Sequence, residues 1–317
     1  MKVGVVGVGG VGGYFGGLLA MSGNVDIHFL ARGKHLQVIE EEGLTLVSND
    51  KSTTIFVHAT SEPQDIGYVD LILFCVKSYD TEYAARSMEP MVSPDTIILT
   101  LQNGLDNVEK IAKFYDLSQI MAGTTYIESR IASPGVILHR GNPGRIVFGE
   151  LNGEITDRAK RILDLFLGAK IDATLTDHIQ QILWEKFLLI CAIHGVCTVS
   201  RSSIGQVLAC EETRDFIKGV MEEVKQIADR KHVNLPDDIV ERSMIIAESY
   251  DRAFRPSMLR DLEWKQPLEI DALNGLVVRM GHEVGVNTPL NFAIYATLKL
   301  EDLKIQNPYW ASVVEKR

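Results

Sequence analysis

Seven residues near the start of the chain, Gly7-Val8-Gly9-Gly10-Val11-Gly12-Gly13, hold five glycines and follow directly on the apolar run Lys2-Val3-Gly4-Val5-Val6. A strand that turns sharply into a helix accommodates such a run, and the GxGxxG spacing of Gly7, Gly9 and Gly12 is the form that grips a dinucleotide. Gly7 suits the tight turn, Gly9 lets the backbone approach a pyrophosphate, and Gly12 lets the helix lie close on the sheet. The helix N-terminus then faces the phosphates. Tyr14 to Met21 is compatible with that helix and Val25 to Leu30 with a second strand, so one βαβ unit opens the chain.

The end of the second strand discriminates between cofactors. A carboxylate there would hold the ribose hydroxyls of NAD. The chain instead reads Leu30-Ala31-Arg32-Gly33-Lys34-His35. Arg32, helped by Lys34, is placed to pair with a 2′-phosphate, because guanidinium and phosphate match as a bidentate fork. The alternative is a solvated basic turn. NADP(H) is therefore favoured over NAD. Two more apolar runs, 69–76 and 96–101, suit strands covered on both faces of a parallel sheet. They deliver Lys77 and Asn103 to the same carboxyl edge, where ligands bind in open α/β sheets. Asn103-Gly104 is equally readable as a plain turn pair.

Further strands are expected at 44–47, 54–58 and 119–126, with helices at 78–88 and 105–114. Between 129 and 150, Ser133-Pro134-Gly135 and Gly141-Asn142-Pro143-Gly144 punctuate two β-like pieces, 136–139 and 146–148, which read as an antiparallel hairpin extension. A helix at 154–167 and a strand at 170–175 close this part. Beyond 176 the strand signals fade, and helical patterns run at 177–197, 211–232, 236–252 and 258–283. The expectation is an α/β Rossmann domain over 1–176, with a mostly parallel sheet, followed by an all-α domain over 177–317.

A formal net charge of −10 argues against nucleic-acid or anionic-membrane partners, which are bound through excess Lys and Arg. No apolar run is read as a membrane span, and the start of the chain reads as a strand rather than a signal peptide. Cys75, Cys191, Cys197 and Cys210 show no CxxC or metal-ligand spacing, so reduced thiols, no metal site and a cytoplasmic setting are expected. A small molecule is the expected partner, and a homodimer is a candidate assembly.

The segment from Ile182 to Gly195 is apolar on nearly every side and is interrupted by Glu185, Lys186 and His194. A buried ammonium needs a partner, a route to solvent or a function. Lys186, Ile190 and His194 fall four apart and share one helix face. Further on, Ser257 follows a proline, where it could simply cap a helix. Glu269 and Asp271 precede an apolar helical pattern, where helix N-terminal charge placement alone would explain them.

Taken together, the glycines at 7, 9 and 12, Arg32, Lys77, Asn103-Gly104, Trp184-x-Lys186, Ser257 and the Glu-Ile-Asp-x-x-Asn-Gly of 269–275 resemble the ketopantoate reductase (2-dehydropantoate 2-reductase) family in order and spacing over essentially the whole chain. The resemblance implies NADPH-dependent reduction of 2-dehydropantoate to (R)-pantoate, a step of pantothenate biosynthesis, by a Rossmann domain and a helical domain. It implies that Lys186 is the general acid and that Glu269 stands near the nicotinamide. It also implies that Lys77, Asn103 and Ser129 line the cofactor site, with Asn103 and Ser257 contacting substrate.

Three positions depart from the family pattern. Where asparagines are usual, this chain has Ile190, His194 and Ile204. Lost amides relax or redirect specificity. His194 could still bind a carboxylate, or could be a satisfied core histidine. Another branched or aromatic 2-oxo acid, reduced to a D-2-hydroxy acid, is therefore a second reading. A non-enzymatic NADPH sensor is a third, opposed by the retention of Lys186 and Glu269.

Overall fold

The computed structural model describes residues 1–48, 51–307 and 310; the last stretch of the expected helical domain, 311–317, lies outside the described residues. The chain divides into two compact units, Met1–Ile182 and Leu183–Arg317.

Unit 1 opens with β1 (Lys2–Val6), α1 (Gly10–Ser22), β2 (Asp26–Leu30), α2 (Gly33–Glu42), β3 (Leu44–Ser48), β4 (Lys51–Ile55), β5 (His58–Thr60), α3 (Pro63–Ile66) and β6 (Leu71–Phe74). It continues through α4 (Thr81–Ser87), β7 (Ile97–Thr100), α5 (Asn107–Ile111), β8 (Ile120–Ser133), β9 (Val136–Glu150), α6 (Asp157–Gly168) and β10 (Asp172–Leu175). Among the described residues these strands form one sheet ordered β4-β3-β9-β8-β7-β6-β1-β2-β5, with β10 beside β9. From β5 to β8 every neighbouring pair is parallel, and the order reverses between β1 and β6. That reversal is the topological switch point at which such sheets bind ligands. The strands at its centre, Leu71–Phe74 and Ile97–Thr100, are buried throughout, as their unbroken apolar runs require.

The sheet curls. Its two terminal strands, β4 and β5, are joined by Phe56 and Val57 alone, a link that spans only about 10 Å. The expected single strand over 54–58 is thus split, because its halves pair at opposite ends of the strand order. Helix α1 lies inside this curl, and its glycines are the reason it fits. A Cβ at Gly16 would stand 2.6 Å from the Phe29 ring, and one at Gly17 would stand 2.7 Å from Leu46.

The hairpin extension is the antiparallel pair β8–β9, turning at Gly135 with φ +76. Gly141-Asn142-Pro143-Gly144 does not end a strand, contrary to expectation. The register passes from Tyr126↔Arg145 to Glu128↔Arg140, so this segment is taken up as an irregularity within β9. Helix α2 was not anticipated; it follows Arg32 directly and turns the expected basic loop into a helix N-terminus.

Unit 2 is helical: most of α7 (Ile179–Ser200), then α8 (Ile204–Ala209), α9 (Glu211–Arg230), α10 (Ile239–Ser249), α11 (Ser257–Glu263), α12 (Asn274–Val284) and α13 (Pro289–Gln306). One helix expected over 258–283 is in fact α11, a 3₁₀ turn at Glu269–Asp271, and α12. Lys265 adopts φ +53 and Pro267 lacks an N–H, so a continuous helix cannot pass. The long helix α13, opened by Pro289 in its first turn, was also unanticipated. Helix α7 corrects one more expectation: by length and apolarity it could cross a membrane, although most of it is buried inside the protein.

Candidate active site

In unit 1 the glycine loop behaves as three different backbone problems. Gly7 sits at φ +94, and a Cβ there would meet the Val76 nitrogen at 2.7 Å. A Cβ on Gly12 would stand 2.2 Å from the Gly7 carbonyl, so helix and turn touch through backbone. Gly9 differs: a Cβ would meet nothing within 4 Å. It is the N-cap of α1, has no side chain to cap with, and is followed by a first turn free of acids. The first-turn N–H groups thus lie at the positive end of a helix dipole, next to the open space at Gly9. Ser129 borders the same turn. Its carbonyl lies 2.4 Å from where a Gly10 Cβ would be, and its Oγ is buried with no partner. An open cradle of N–H donors beside an unspent hydroxyl fits a dinucleotide pyrophosphate.

Lys77 and Asn103 follow β6 and β7 at the same edge. Their loops are tied by Gln102, a residue that sequence reasoning passed over. The Gln102 Nε2 donates to the Val76 carbonyl at 3.0 Å and to Thr81 Oγ1 at 2.8 Å, while its Oε1 accepts from Thr100 Oγ1 at 3.0 Å. Asn107 Nδ2 donates to the Asn103 carbonyl at 2.8 Å, and Gly104 takes φ +100. The turn is thus fixed by its own side chains. A glutamine immediately after an apolar strand was the available signal.

Arg32 is at the N-cap of α2, where sequence placed it beside the ribose end of a nucleotide. It does not stand there alone. Its Nη2 donates to Asp80 Oδ2 at 3.0 Å, and its guanidinium lies over the Tyr83 ring at 5.6 Å from the centroid. Lys34, its expected helper, donates to Gln37 on α2 at 3.0 Å.

In unit 2, Lys186, Ile190 and His194 share one face of the regular helix α7, as their spacing predicts. The rest of the helix is apolar: Trp184, Phe187, Leu188, Cys191 and Ile193 are all buried. Burial pushes the Lys186 ammonium down to about 8, and the nearby Glu269 carboxylate acts against that fall. Glu269 itself is 7% exposed and belongs to the 3₁₀ turn rather than to a helix N-terminus. Asp271, its sequence companion, has a structural role: it accepts from Tyr295 Oη at 3.0 Å and Lys299 Nζ at 2.6 Å. Leu268 N, one residue before Glu269, donates to the buried Asp302 at 2.9 Å. The turn that carries Glu269 is therefore anchored on both sides.

A second buried network joins the helices that frame this pair. Asn274 Nδ2 donates to the Cys191 carbonyl of α7 at 3.2 Å and to Asn291 Oδ1 at 2.9 Å. Asn291 Nδ2 in turn donates to Glu223 Oε2 at 2.7 Å. Glu223 was not anticipated, although an acid beside Val220, Val224 and Ile227 on the buried stripe of α9 was a visible anomaly. Ser257 is the first residue of α11, with Pro256 at the N-cap, so it does not cap that helix. Ile204 is 1% exposed, and its N–H donates to the Phe254 carbonyl at 3.0 Å.

The chain is similar to known proteins over nearly its whole length. The model of the family Ketopantoate reductase PanE/ApbA matches residues 3–153, and that of its C-terminal part matches residues 178–302. A 2-dehydropantoate 2-reductase from Nostoc is 29% identical over 307 residues, covering 95% of this chain and 95% of that protein. The crystal structure of a PanE/ApbA family ketopantoate reductase from Ralstonia eutropha superposes with a TM-score of 0.89 at 32% identity, covering 97% of this chain and 100% of that one. A D-mandelate dehydrogenase, solved with NADH and anilino(oxo)acetate, shares the fold with a TM-score of 0.90 at 24% identity, covering 97% of this chain and 100% of that one.

Proposed function

This chain belongs to the ketopantoate reductase family, and from that premise we propose that it reduces 2-dehydropantoate to (R)-pantoate with NADPH, Lys186 serving as general acid. The observation that carries this reading is Lys186 itself. It is a lysine set in an apolar helix, brought down to about 8, with a buried carboxylate close by. Perturbed ammonium groups of this kind are the ones poised for proton transfer near neutral pH.

When bound, the nicotinamide supplies a hydride to the keto carbon. Charge then develops on the carbonyl oxygen, where the Lys186 ammonium both stabilises it and delivers the proton that completes the hydroxyl. Glu269 keeps Lys186 protonated between turnovers. Gly7, Gly9, Gly12 and Ser129 are proposed to hold the pyrophosphate, Arg32 the 2′-phosphate, and Lys77 and Asn103 the cofactor beside the substrate. Ser257 and His194 are proposed to bind the substrate's polar groups. The reaction is read as cytoplasmic, a setting in which the thiols of Cys191 and Cys197 stay reduced.

One observation favours a second reading. Ile190 and Ile204 stand where the family usually has asparagines, and an isoleucine side chain has no donor for a substrate hydroxyl. A 2-oxo acid with a branched or aromatic apolar side chain would lose nothing there. A panel of 2-oxo acids assayed with NADPH and NADH, read as kcat/KM, separates the two. 2-Dehydropantoate at the head of the panel supports the first reading; an apolar 2-oxo acid well ahead of it replaces the first with the second.

A further inference from the structure

The carboxylate missing from the end of β2 is present in space. Arg32 ends the β2 loop, whereas Asp80 and Tyr83 follow β6; β1 lies between these two strands. The Arg32–Asp80 contact of 3.0 Å therefore spans the switch point, above the glycine loop that leaves β1. Asp80 has no role in its own element that explains it. It occupies the N-cap of α4, a position where aspartate usually accepts from the first-turn N–H groups, yet its side chain makes no such bond. It is turned to the guanidinium instead. The pair is not buried: the side chains are 63% and 35% exposed, so water and ligand reach both. Beneath them, Tyr83 gives the guanidinium a flat support that remains when the carboxylate is displaced.

We propose that Asp80 is a cofactor-selecting residue, which competes with a 2′-phosphate for Arg32 and accepts a hydrogen bond from a ribose 2′-hydroxyl. The inference rests on the reading of Arg32 as the phosphate partner. A 2′-phosphate takes the guanidinium and pushes Asp80 aside, a displacement opposed only by an exposed ion pair. An unphosphorylated ribose leaves the pair intact and uses Asp80 as the acid that β2 lacks. The site thereby admits both NADPH and NADH, with a preference smaller than Arg32 alone would give.

Equilibrium binding of NADPH and of NADH to the full chain, followed by nicotinamide fluorescence, tests this without turnover. Asp80→Asn is expected to tighten NADPH and weaken NADH, each by about two- to fivefold, the worth of an exposed ion pair. Asp80→Glu, which keeps the charge, should preserve the wild-type ratio. Arg32→Ala should weaken NADPH selectively, and in that background Asp80→Asn should no longer tighten NADPH. If Arg32→Ala weakens both cofactors equally, the phosphate reading fails and the proposal fails with it. If Arg32→Ala is selective but Asp80→Asn leaves the ratio of the two affinities unchanged, the proposal alone is overturned.

Discussion

Helices α1 and α7 are both apolar and both deeply packed, yet they build their sites by opposite means. Helix α1 presents backbone. Side chains are absent from its surface at Gly10, Gly12, Gly13, Gly16 and Gly17, so that strands close around it, and no side chain caps its first turn. Helix α7 presents side chains. One lysine interrupts a largely buried apolar helix, and burial lowers its proton affinity. In the first case the proposed cofactor site depends on the absence of atoms, and its selectivity on shape. In the second the proposed proton donor is a charge held where charge is disfavoured, and the setting decides the proton affinity.

This contrast can be broken at several points. The largest effect is expected at Lys186. Lys186→Ala should lower kcat by about a thousandfold, the scale of a lost general acid and charge stabiliser, while the cofactor dissociation constant stays within about twofold. An equal loss in both would mean that the lysine positions cofactor instead. Next come the glycines. Gly12→Ala forces a methyl against the Gly7 carbonyl and should destabilise the fold by about 1–3 kcal/mol, seen in thermal melting. Gly9→Ala has open space, so melting should not change, yet NADPH affinity should fall about tenfold as the methyl enters the cradle. A Gly9 variant that binds normally would remove the pyrophosphate from this loop.

The pH dependence sharpens the other side. As the proposed general acid, Lys186 would act only when protonated, and its ammonium is brought down from 10.5 to about 8. For reduction, kcat/KM should therefore be level below about pH 8 and fall tenfold per unit above it, well before an ordinary lysine would titrate. Glu269 favours the charged lysine, so Glu269→Gln should move this limb to lower pH. A limb that stays in place would detach Glu269 from the lysine. The smallest effect is expected at His194: His194→Ala should raise the KM of the 2-oxo acid by about three- to tenfold with kcat little changed, as for a group that binds ground and transition states alike.

Legibility in the sequence followed the same division. The loop at Gly7–Gly12, the parallel strands 71–74 and 97–100, and the helical character of unit 2 were readable, because each rests on residues close together in the chain. The break between α11 and α12 was missed since apolar periodicity runs across 258–283 while Lys265 and Pro267 stop the backbone. The splitting of 54–58 was missed because the two halves look alike as strands and differ only in which end of the sheet they join. Gln102, Glu223 and Asn291 are polar residues whose partners come from other elements, which no local pattern announces.

For the glycine loop, then, the sequence alone was sufficient to place the turn and its positive φ, since these are properties of single residues, whereas the close approaches to Val76 and Ser129 came with the fold. The tertiary structure decided everything that depends on charge. It set Asp80 against Arg32 and Glu269 near Lys186, each pair assembled from distant stretches of chain. The effect of a charge depends on the solvent and counter-charges around it, and those are fixed only when the chain has folded.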